Sequence, residues 1–382
     1  MSIPTLFLRS LFALGLILLC GCSLVTLPQL PPGEMLTPVT TTLPQTPFAV
    51  HPDGTALASV REDGLWWVPL DGRAAYRLSE RHPTALSWNP SGERLALVTV
   101  ANNSSSLQVI TLTGEVVATE ELSGFASDLI WRNVHEILLL TQKLTRYSFG
   151  GNLEMSLQVW HENQPLQRES IHSVTLKKST LALGERLFTV PSLQLSPWGD
   201  EILFERIHDP PQFPVYQRMV VRHLDSGEER ALEATPLLSP PARYSADGEA
   251  ILYADGDGKL LSLSLWPQGK MPELLFEPEV LARQLTLNAD GSRGWRDGAL
   301  WQGKTRLWSW SEVEAVKYAA GSFWFRAGKK IFRLEGDREA TLSPLAALDE
   351  GQRNKLLLLR RWRSNGLITP ADYNIRFEEI LR

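Results

Sequence analysis

The chain has 382 residues, of which 43% are hydrophobic, and a formal net charge of −5 at pH 7. This mild charge gives no argument for nucleic acid as a partner, and the length is sufficient for a large core. The two cysteines, Cys20 and Cys22, stand near the N-terminus. Disulfides, cysteine nucleophiles and cysteine-based metal sites are therefore excluded from the rest of the chain.

The first residues have the pattern of an export signal. Arg9 precedes an apolar stretch, Leu11 to Leu19, that is too short for a comfortable membrane span. The run Leu19-Cys20-Gly21-Cys22 resembles the lipobox of bacterial lipoproteins. The resemblance implies a signal peptide over residues 1–21 and lipidation, such as palmitate, at Cys22. An ordinary cleaved signal and an uncleaved anchor are the alternatives.

Ser23 follows the lipid site. The resemblance implies that a lipoprotein without Asp at this position is placed in the outer membrane, facing the periplasm; the inner membrane stays open. Residues 22–46 are rich in Pro and Thr and have no helical period. They predict an extended tether that holds the body off the membrane. As an alternative, the last part of this segment pairs as a strand with the body.

A turn motif recurs through the middle of the chain. His51-Pro52-Asp53-Gly54 and Ser196-Pro197-Trp198-Gly199 are its closest copies, and apolar strands such as Ala56 to Val60 follow. Pro and Asp favour the central turn positions, and Gly accepts a positive φ. Further copies stand at residues 86–92, 129–133, 242–248, 285–291 and 316–321. A period of about 40 to 50 residues with several strands per unit is typical of a β-propeller.

This unit resembles the TolB/WD40-like repeat of bacterial periplasmic proteins. The resemblance implies an all-β propeller over residues 47–343, with seven blades and six or eight as alternatives. An insertion is expected between Gln142 and Thr189, where the spacing is longer. A pair of β-sandwiches is the competing interpretation.

The pattern becomes helical over residues 345–382. Thr369 is a suitable N-cap and Pro370 suits the first helical position. The segment resembles the short C-terminal helical hairpin called SHOCT, a family associated with oligomerisation or partner contact. The matching residues are Gly366, Ile368, Thr369, Asp372 and Tyr373. A hairpin this small must dock on the propeller or on another chain.

The hairpin contains a basic group, Arg360, Arg361 and Arg363. We interpret it as a candidate contact with an acidic partner or with lipid headgroups; a solvated helix face is the alternative. Phe213, in the Pro-rich loop within residues 207–218, is a second candidate contact residue. Loops of this kind commonly form the binding surface of a rigid scaffold.

No catalytic motif stands out. The sequence has no Gly-x-Ser-x-Gly elbow, phosphate-binding loop or His-Glu-x-x-His helix, and Asp255–Gly258 is typical of a hairpin turn. We therefore predict no catalytic residue, no cofactor and no metal site. Tryptophans between Trp295 and Trp324 are dense enough to line a ligand surface, whereas Trp88, Trp131 and Trp198 are expected to pack within or between blades.

These patterns predict a non-catalytic, lipid-anchored scaffold that binds envelope proteins in the periplasm. One alternative is a sensor for glycans or peptides that uses the Trp-rich late blades. Another is an enzyme with a polar site in the propeller channel, which would require two carboxylates that converge there.

Overall fold

The computed structural model describes residues 25–101, 104–189, 192–237, 239, 241–245, 248–257, 259–265, 271–276, 285–288, 292–296, 298–335, 350–364 and 367–381. The predicted signal peptide, Cys22 and Ser23 lie outside these residues. Seven four-stranded antiparallel sheets follow one another along the chain as the blades of a propeller. The predicted fold class and the count of seven blades are confirmed.

Each blade is a meander whose first strand is innermost. The first three blades contain β2 (Phe48–Val50), β3 (Ala56–Arg61), β4 (Gly64–Pro69) and β5 (Tyr76–Ser79); β6 (Ala85–Trp88), β7 (Arg94–Ala101), β8 (Ser104–Thr111) and β9 (Val116–Leu122); and β10 (Phe125–Asn133), β11 (Glu136–Tyr147), β12 (Gly150–His161) and β13 (Gln167–Lys177). After blade 3 come α1 (Lys178–Leu181) and a 3₁₀ helix, Gly184–Thr189.

The later blades follow the same order. They contain β14 (Leu193–Leu195), β15 (Glu201–His208), β16 (Tyr216–His223) and β17 (Glu229–Pro236); β18 (Arg243–Tyr244), β19 (Ala250–Ala254), β20 (Leu260–Ser264) and β21 (Glu273–Phe276); β22 (Leu285–Leu287), β23 (Arg293–Arg296), β24 (Ala299–Gln302) and β25 (Thr305–Ser309); and β26 (Val313–Ala319), β27 (Ser322–Ala327) and β28 (Lys330–Glu335), to which β1 (Met35–Thr41) adds the outer strand.

The first strand of the chain closes the ring. β1 pairs antiparallel with β28, and Met35 stands opposite Glu335. Part of the expected tether is thus a strand of the body, as the alternative had it. The preceding residues also lie on the body, because Val25 and Leu30 pack against the apolar core of blades 6 and 7. Glu34 accepts hydrogen bonds from Arg293 and from the indole of Trp308. The idea of a free spacer is therefore wrong from Val25 onward.

The meander gives the ring two different faces. Turns between the first and second strands, such as 51–55 and 196–200, lie on one face, here called the repeat-turn face. Loops between the second and third strands, such as 209–215, lie on the opposite face with the connections between blades. We call this the loop face.

Two features require glycine in several of the repeat turns: a positive φ and the close approach of a side chain from the preceding blade. Gly92 has φ +77°, and a β-carbon there would stand 2.1 Å from Nε2 of His51 in the preceding blade. In the same way, Ala320 lies against Gly54 and Trp198 lies against Gly248. Each of these glycines lets a side chain of the preceding blade pack on its turn.

Tryptophans on the inner strands join neighbouring blades. The indole of Trp88 donates to the carbonyl of Ala49 at 3.2 Å, and that of Trp131 donates to Ser87 at 2.9 Å. Trp88 and Trp131 therefore join neighbouring blades, as predicted.

The late tryptophans do not line a ligand surface. Trp295, Trp308 and Trp310 are buried with phenylalanines of blade 7, as in the ring pair of Trp295 and Phe325, whose centroids are 5.0 Å apart. Trp324 is buried in a separate cluster with Phe48 of blade 1. The cation of Arg296 lies 4.3 Å from the ring centre of Trp301, the partly buried member of the group. Their density reflects aromatic packing of a core, so the feature that suggested a Trp-based sensor is absent from the described late blades.

The expected insertion is a lengthening of blade 3. β10 pairs with β11 only as far as Gln142, but β11 and β12 remain paired to Tyr147 and Gly150. About five residues per strand, roughly 16 Å, thus extend beyond the inner strand on the loop face. The extension has its own apolar core, which includes Leu153 and Leu187. No helix of the described residues is long and apolar enough to cross a membrane.

Candidate interaction surface

The C-terminal hairpin docks on the repeat-turn face. It consists of α2 (Glu350–Ser364) and α3 (Pro370–Leu381). Its apolar side, with Leu356, Leu359 and Tyr373, buries Trp198 of blade 4. Thr369 caps α3 as predicted, because its Oγ1 accepts the amide hydrogen of Asp372 at 3.1 Å.

Trp198 is the anchor of this contact. It stands in a turn where the other close copies of the motif carry Asp or Ser, so without the hairpin its ring would be open to solvent. Instead it meets Phe377 edge to face, with centroids 6.2 Å apart, and its exposed fraction is 3%. The guanidinium carbon of Arg360 lies 4.6 Å from the centre of the Trp198 ring. Apolar burial and a cation–π contact therefore act on the same side chain.

Glu249, at the end of the turn of blade 5, binds the hairpin by charge. Its carboxylate accepts hydrogen bonds from Arg360 at 3.1 Å, from Arg363 and from the hydroxyl of Tyr373 at 3.4 Å. Arg363 also stacks on Tyr373, with 3.9 Å from the guanidinium carbon to the ring centre. Burial and the Glu249 charge raise the pKa of Tyr373 to about 12.

The predicted basic group therefore has a different role. The side chains of Arg360 and Arg363 are only 12% and 11% exposed, and they bind within the chain. Neither a solvated helix face nor an open basic patch describes these two residues. The acidic group that they bind is Glu249 of the same protein. The side chain of Arg361 lies outside the described residues.

A groove of about 480 Å³ runs between the hairpin and blades 4 and 5. Leu357 and Leu358 form part of the hairpin wall, and charged side chains form most of the propeller wall. The propeller wall includes Arg132, Asp200, Glu201, His223, Asp225, Glu228, Glu229, Arg230 and Glu249. Arg360 and Arg363 complete the hairpin wall, so the groove joins apolar and cationic side chains of the hairpin to a strongly polar propeller wall.

The arginines of the groove are engaged by their own neighbours. Arg132 binds Asp225 at 2.8 Å and Glu136 at 3.3 Å, and Arg230 donates to the carbonyl of Leu265 at 3.2 Å. Glu201 is half-buried, and burial together with the Asp200 charge raises its pKa. Asp200 itself accepts a hydrogen bond from the hydroxyl of Ser196 at 2.7 Å and lies 3.9 Å from Nε of Arg360.

Phe213 lies far from this groove, on the loop face. Its side chain is 66% exposed, and its carbonyl accepts a hydrogen bond from Nζ of Lys177 at 2.9 Å. The predicted contact residues therefore divide between the two faces, Arg360 and Arg363 on one and Phe213 on the other.

Charged side chains also enter the central channel. Asp128 of β10, Arg243 of β18 and Lys317 of β26 are close enough to act on one another's charge. Burial raises the pKa of Asp128 and lowers that of Lys317. The Asp128 carboxylate accepts the amide hydrogens of Leu129 and Leu193 at 2.8 and 3.2 Å.

A second enclosed carboxylate, Glu205, binds the amides of Ser192 and Ala242, both at 3.0 Å. Both acids thus hold the backbone of neighbouring blades. These hydrogen bonds account for the positions of both carboxylates.

The sequence patterns do not predict that Trp198 and Glu249 dock the hairpin. One signal was available, since Trp198 stands where the other close copies of the turn carry Asp or Ser, and burial of so large an apolar side chain is favourable. The position of Glu249 gave no such signal, because a Glu after a turn glycine is ordinary.

No family model matches the sequence, and no curated protein matches it. Among solved structures, the β-propeller domain of Cps50 (Swd1) from Myceliophteria thermophila has a TM-score of 0.54 and 15% identity, covering 79% of this chain and 99% of that chain. TolB from Acinetobacter baumannii has a TM-score of 0.38 and 12% identity, covering 75% and 62%.

A structure from a study of two prolyl endopeptidases has a TM-score of 0.49 and 13% identity, covering 73% of this chain and 44% of that one. The likeness to the Cps50 domain supports the propeller fold and carries no function.

Proposed function

We propose that this chain is a non-catalytic, lipid-anchored envelope protein whose propeller presents a binding surface to protein partners in the periplasm. The observation that carries the proposal is the groove between the docked hairpin and blades 4 and 5. It combines the apolar side chains of Leu357 and Leu358 with charged side chains of both the hairpin and the propeller, a mixture that is common in protein-binding sites. Anchoring through Cys22 rests on the lipobox resemblance.

The charge of the groove indicates the chemistry of the partner. Arg360 and Arg363 bind Glu249, and Arg360 also lies 3.9 Å from Asp200, but burial and the Asp200 charge still raise the pKa of Glu201 at the groove wall. A partner segment with a Lys or Arg would neutralise this pair, and an apolar neighbour on the same segment would contact Leu358, which is exposed. We therefore propose a partner segment with both a basic and an apolar side chain.

Crosslinking in intact cells tests the proposal. A photo-crosslinking amino acid replaces Leu358 in the groove or, as a control, Val116 on the outer strand of blade 2. We expect a discrete adduct with one protein from position 358 that position 116 does not give. Adding Glu201→Gln should reduce this adduct several-fold, because the acidic pair is lost. Equal adducts at both positions would contradict the groove as the binding surface.

The anchor is tested separately by intact mass of the membrane-extracted protein beside a Cys22→Ala variant. A mass that begins at residue 22 and includes acyl chains supports the proposed anchor. An unmodified mass, with the protein in the soluble fraction, contradicts it.

A further inference from the structure

The N-terminal residues of the described chain are held at the loop face. The amide of Thr26 donates to both carboxylate oxygens of Glu312, at 3.1 and 3.2 Å, in the connection between blades 6 and 7. Val25 Cγ2 lies 3.6 Å from the point where a β-carbon on Gly328 would stand. Gly328 is in the loop between β27 and β28, which also belongs to the loop face.

This position limits how far the body can stand from a lipid at Cys22. Cys22 is three residues before Val25. Three extended residues span roughly 11 Å at most. An acylated Cys22 therefore keeps the rim of the loop face at blades 6 and 7 close to the bilayer surface, which a free tether over residues 22–46 would not do.

The opposite rim of the same face carries exposed aromatic side chains. Phe149, at the tip of the blade 3 extension, is 93% exposed, and Tyr147 is exposed beside it. Phe213 projects from the corresponding loop of blade 4. Because blades 3 and 4 lie across the seven-bladed ring from the junction of blades 6 and 7, the lipid and the aromatic tip would support opposite sides of the face.

Cations surround this tip. Lys143 and Arg146 of β11 are exposed, as is Lys178 at the start of α1. The nearby carboxylate of Glu154 is bound by Arg168 at 2.9 Å. Exposed aromatic rings with Lys and Arg beside them are typical of segments that bind the interface of an anionic bilayer.

We propose that the loop face lies on the membrane surface, with Phe149, Tyr147 and Phe213 in the interface of an anionic phospholipid bilayer. This inference rests on the proposed lipid anchor at Cys22. It deepens the proposed function, because the groove on the repeat-turn face would then point away from the membrane, toward partners in the periplasm.

Spin labels at two exposed positions test the orientation. Mature protein with acylated Cys22 has no free thiol, so Phe149→Cys and Met271→Cys each provide a single labelling site. Met271 is the matched control: it is 88% exposed, in the connection between β20 and β21 on the repeat-turn face. Both proteins are placed in vesicles of phosphatidylethanolamine and phosphatidylglycerol, and nitroxide collisions with oxygen and with a water-soluble nickel complex are measured.

We expect nickel accessibility at position 149 to be at least fivefold lower than at position 271, with oxygen accessibility higher. Equal accessibilities in an acylated sample would overturn the membrane-facing orientation and leave the anchor intact. Absence of acyl chains in the mass of the same sample would instead overturn the proposed anchor, so the two failures are distinguishable. Because both side chains are exposed, the substitutions leave the fold unchanged, and circular dichroism verifies this.

Discussion

The indole of Trp198 lies directly against the backbone of Gly248 in the next blade. A β-carbon on Gly248 would stand 2.8 Å from both Cδ1 and Nε1 of the Trp198 ring. The hairpin covers the other side of the same ring. The turns of blades 4 and 5 and the hairpin are thus one packed unit, and changes at its centre should affect all three.

Gly248→Ala should destabilise the protein more than Gly199→Ala. Both glycines have positive φ, +69° and +76°, so each substitution costs about 1–2 kcal/mol of backbone strain. Nothing lies within 4 Å of the β-carbon position at Gly199, whereas at Gly248 the Trp198 ring must move. Urea unfolding should show the larger loss for Gly248→Ala. Equal losses of unfolding free energy in the two variants would contradict this prediction, because they would mean that the Trp198 ring moves aside without destabilising the protein.

Trp198→Ala should release the hairpin while the propeller stays folded. The substitution removes the apolar anchor and the ring below Arg360, a loss of about 3–5 kcal/mol for a buried Trp. Limited trypsin digestion with mass detection should then show early cleavage at Arg360 and Arg363, leaving the propeller as a stable fragment. Trp198→Phe, the control, should stay largely protected. Protection of both arginines in Trp198→Ala would show that Glu249 alone holds the hairpin.

Glu249→Gln should weaken the same contact by about 1–2 kcal/mol, since a neutral amide replaces the charge shared by Arg360 and Arg363. Its effect should shrink as salt is raised, because the pair is partly open to solvent. Glu80→Gln, which breaks an exposed pair with Arg77, is the control and should have no measurable effect. Trypsin digestion over a range of salt concentrations measures how readily the hairpin is released.

Glu205 should make stability depend on pH. Burial raises its pKa from 4.5 to about 7, against the opposing hydrogen bonds from Ser192 and Ala242. Between these two pH values the folded protein keeps a proton that the unfolded chain has lost. Stability should therefore fall as pH rises from about 4.5 to 7, by up to about 3 kcal/mol. Glu205→Gln, which stays neutral, should remove this part of the slope in unfolding measured across the range. Parallel slopes for the two proteins would contradict the raised pKa.

The propeller was predictable because its signal is local and repeated. Turn motifs such as His51-Pro52-Asp53-Gly54 have a fixed conformation that needs no distant partner. The role of the basic hairpin residues was not predictable, because Glu249 lies more than 100 positions before Arg360 and only docking brings them together. Similarly, the channel group forms only when ring closure brings together strands from blades 3, 5 and 7, and nothing in the spacing of Asp128, Arg243 and Lys317 indicates this.

The late tryptophans show a different limit. The density of tryptophans such as Trp295 and Trp308 suggested a ligand surface, because aromatic density alone does not distinguish a core from a binding site. Only the pairing of strands shows on which side of the sheet each ring lies, and there they meet Phe325.

The pairing of β1 with β28 ties completion of the fold to the far end of the polypeptide. Met35 can pair only once Glu335, 300 positions later, is present. Six blades can therefore form before the seventh has its outer strand. A chain interrupted before Lys330 would leave two open sheet edges, one on Met35–Thr41 and one on the last blade, where other chains can add. The ring therefore closes, and its two sheet edges become paired, only in a polypeptide that has been translated through its final blade.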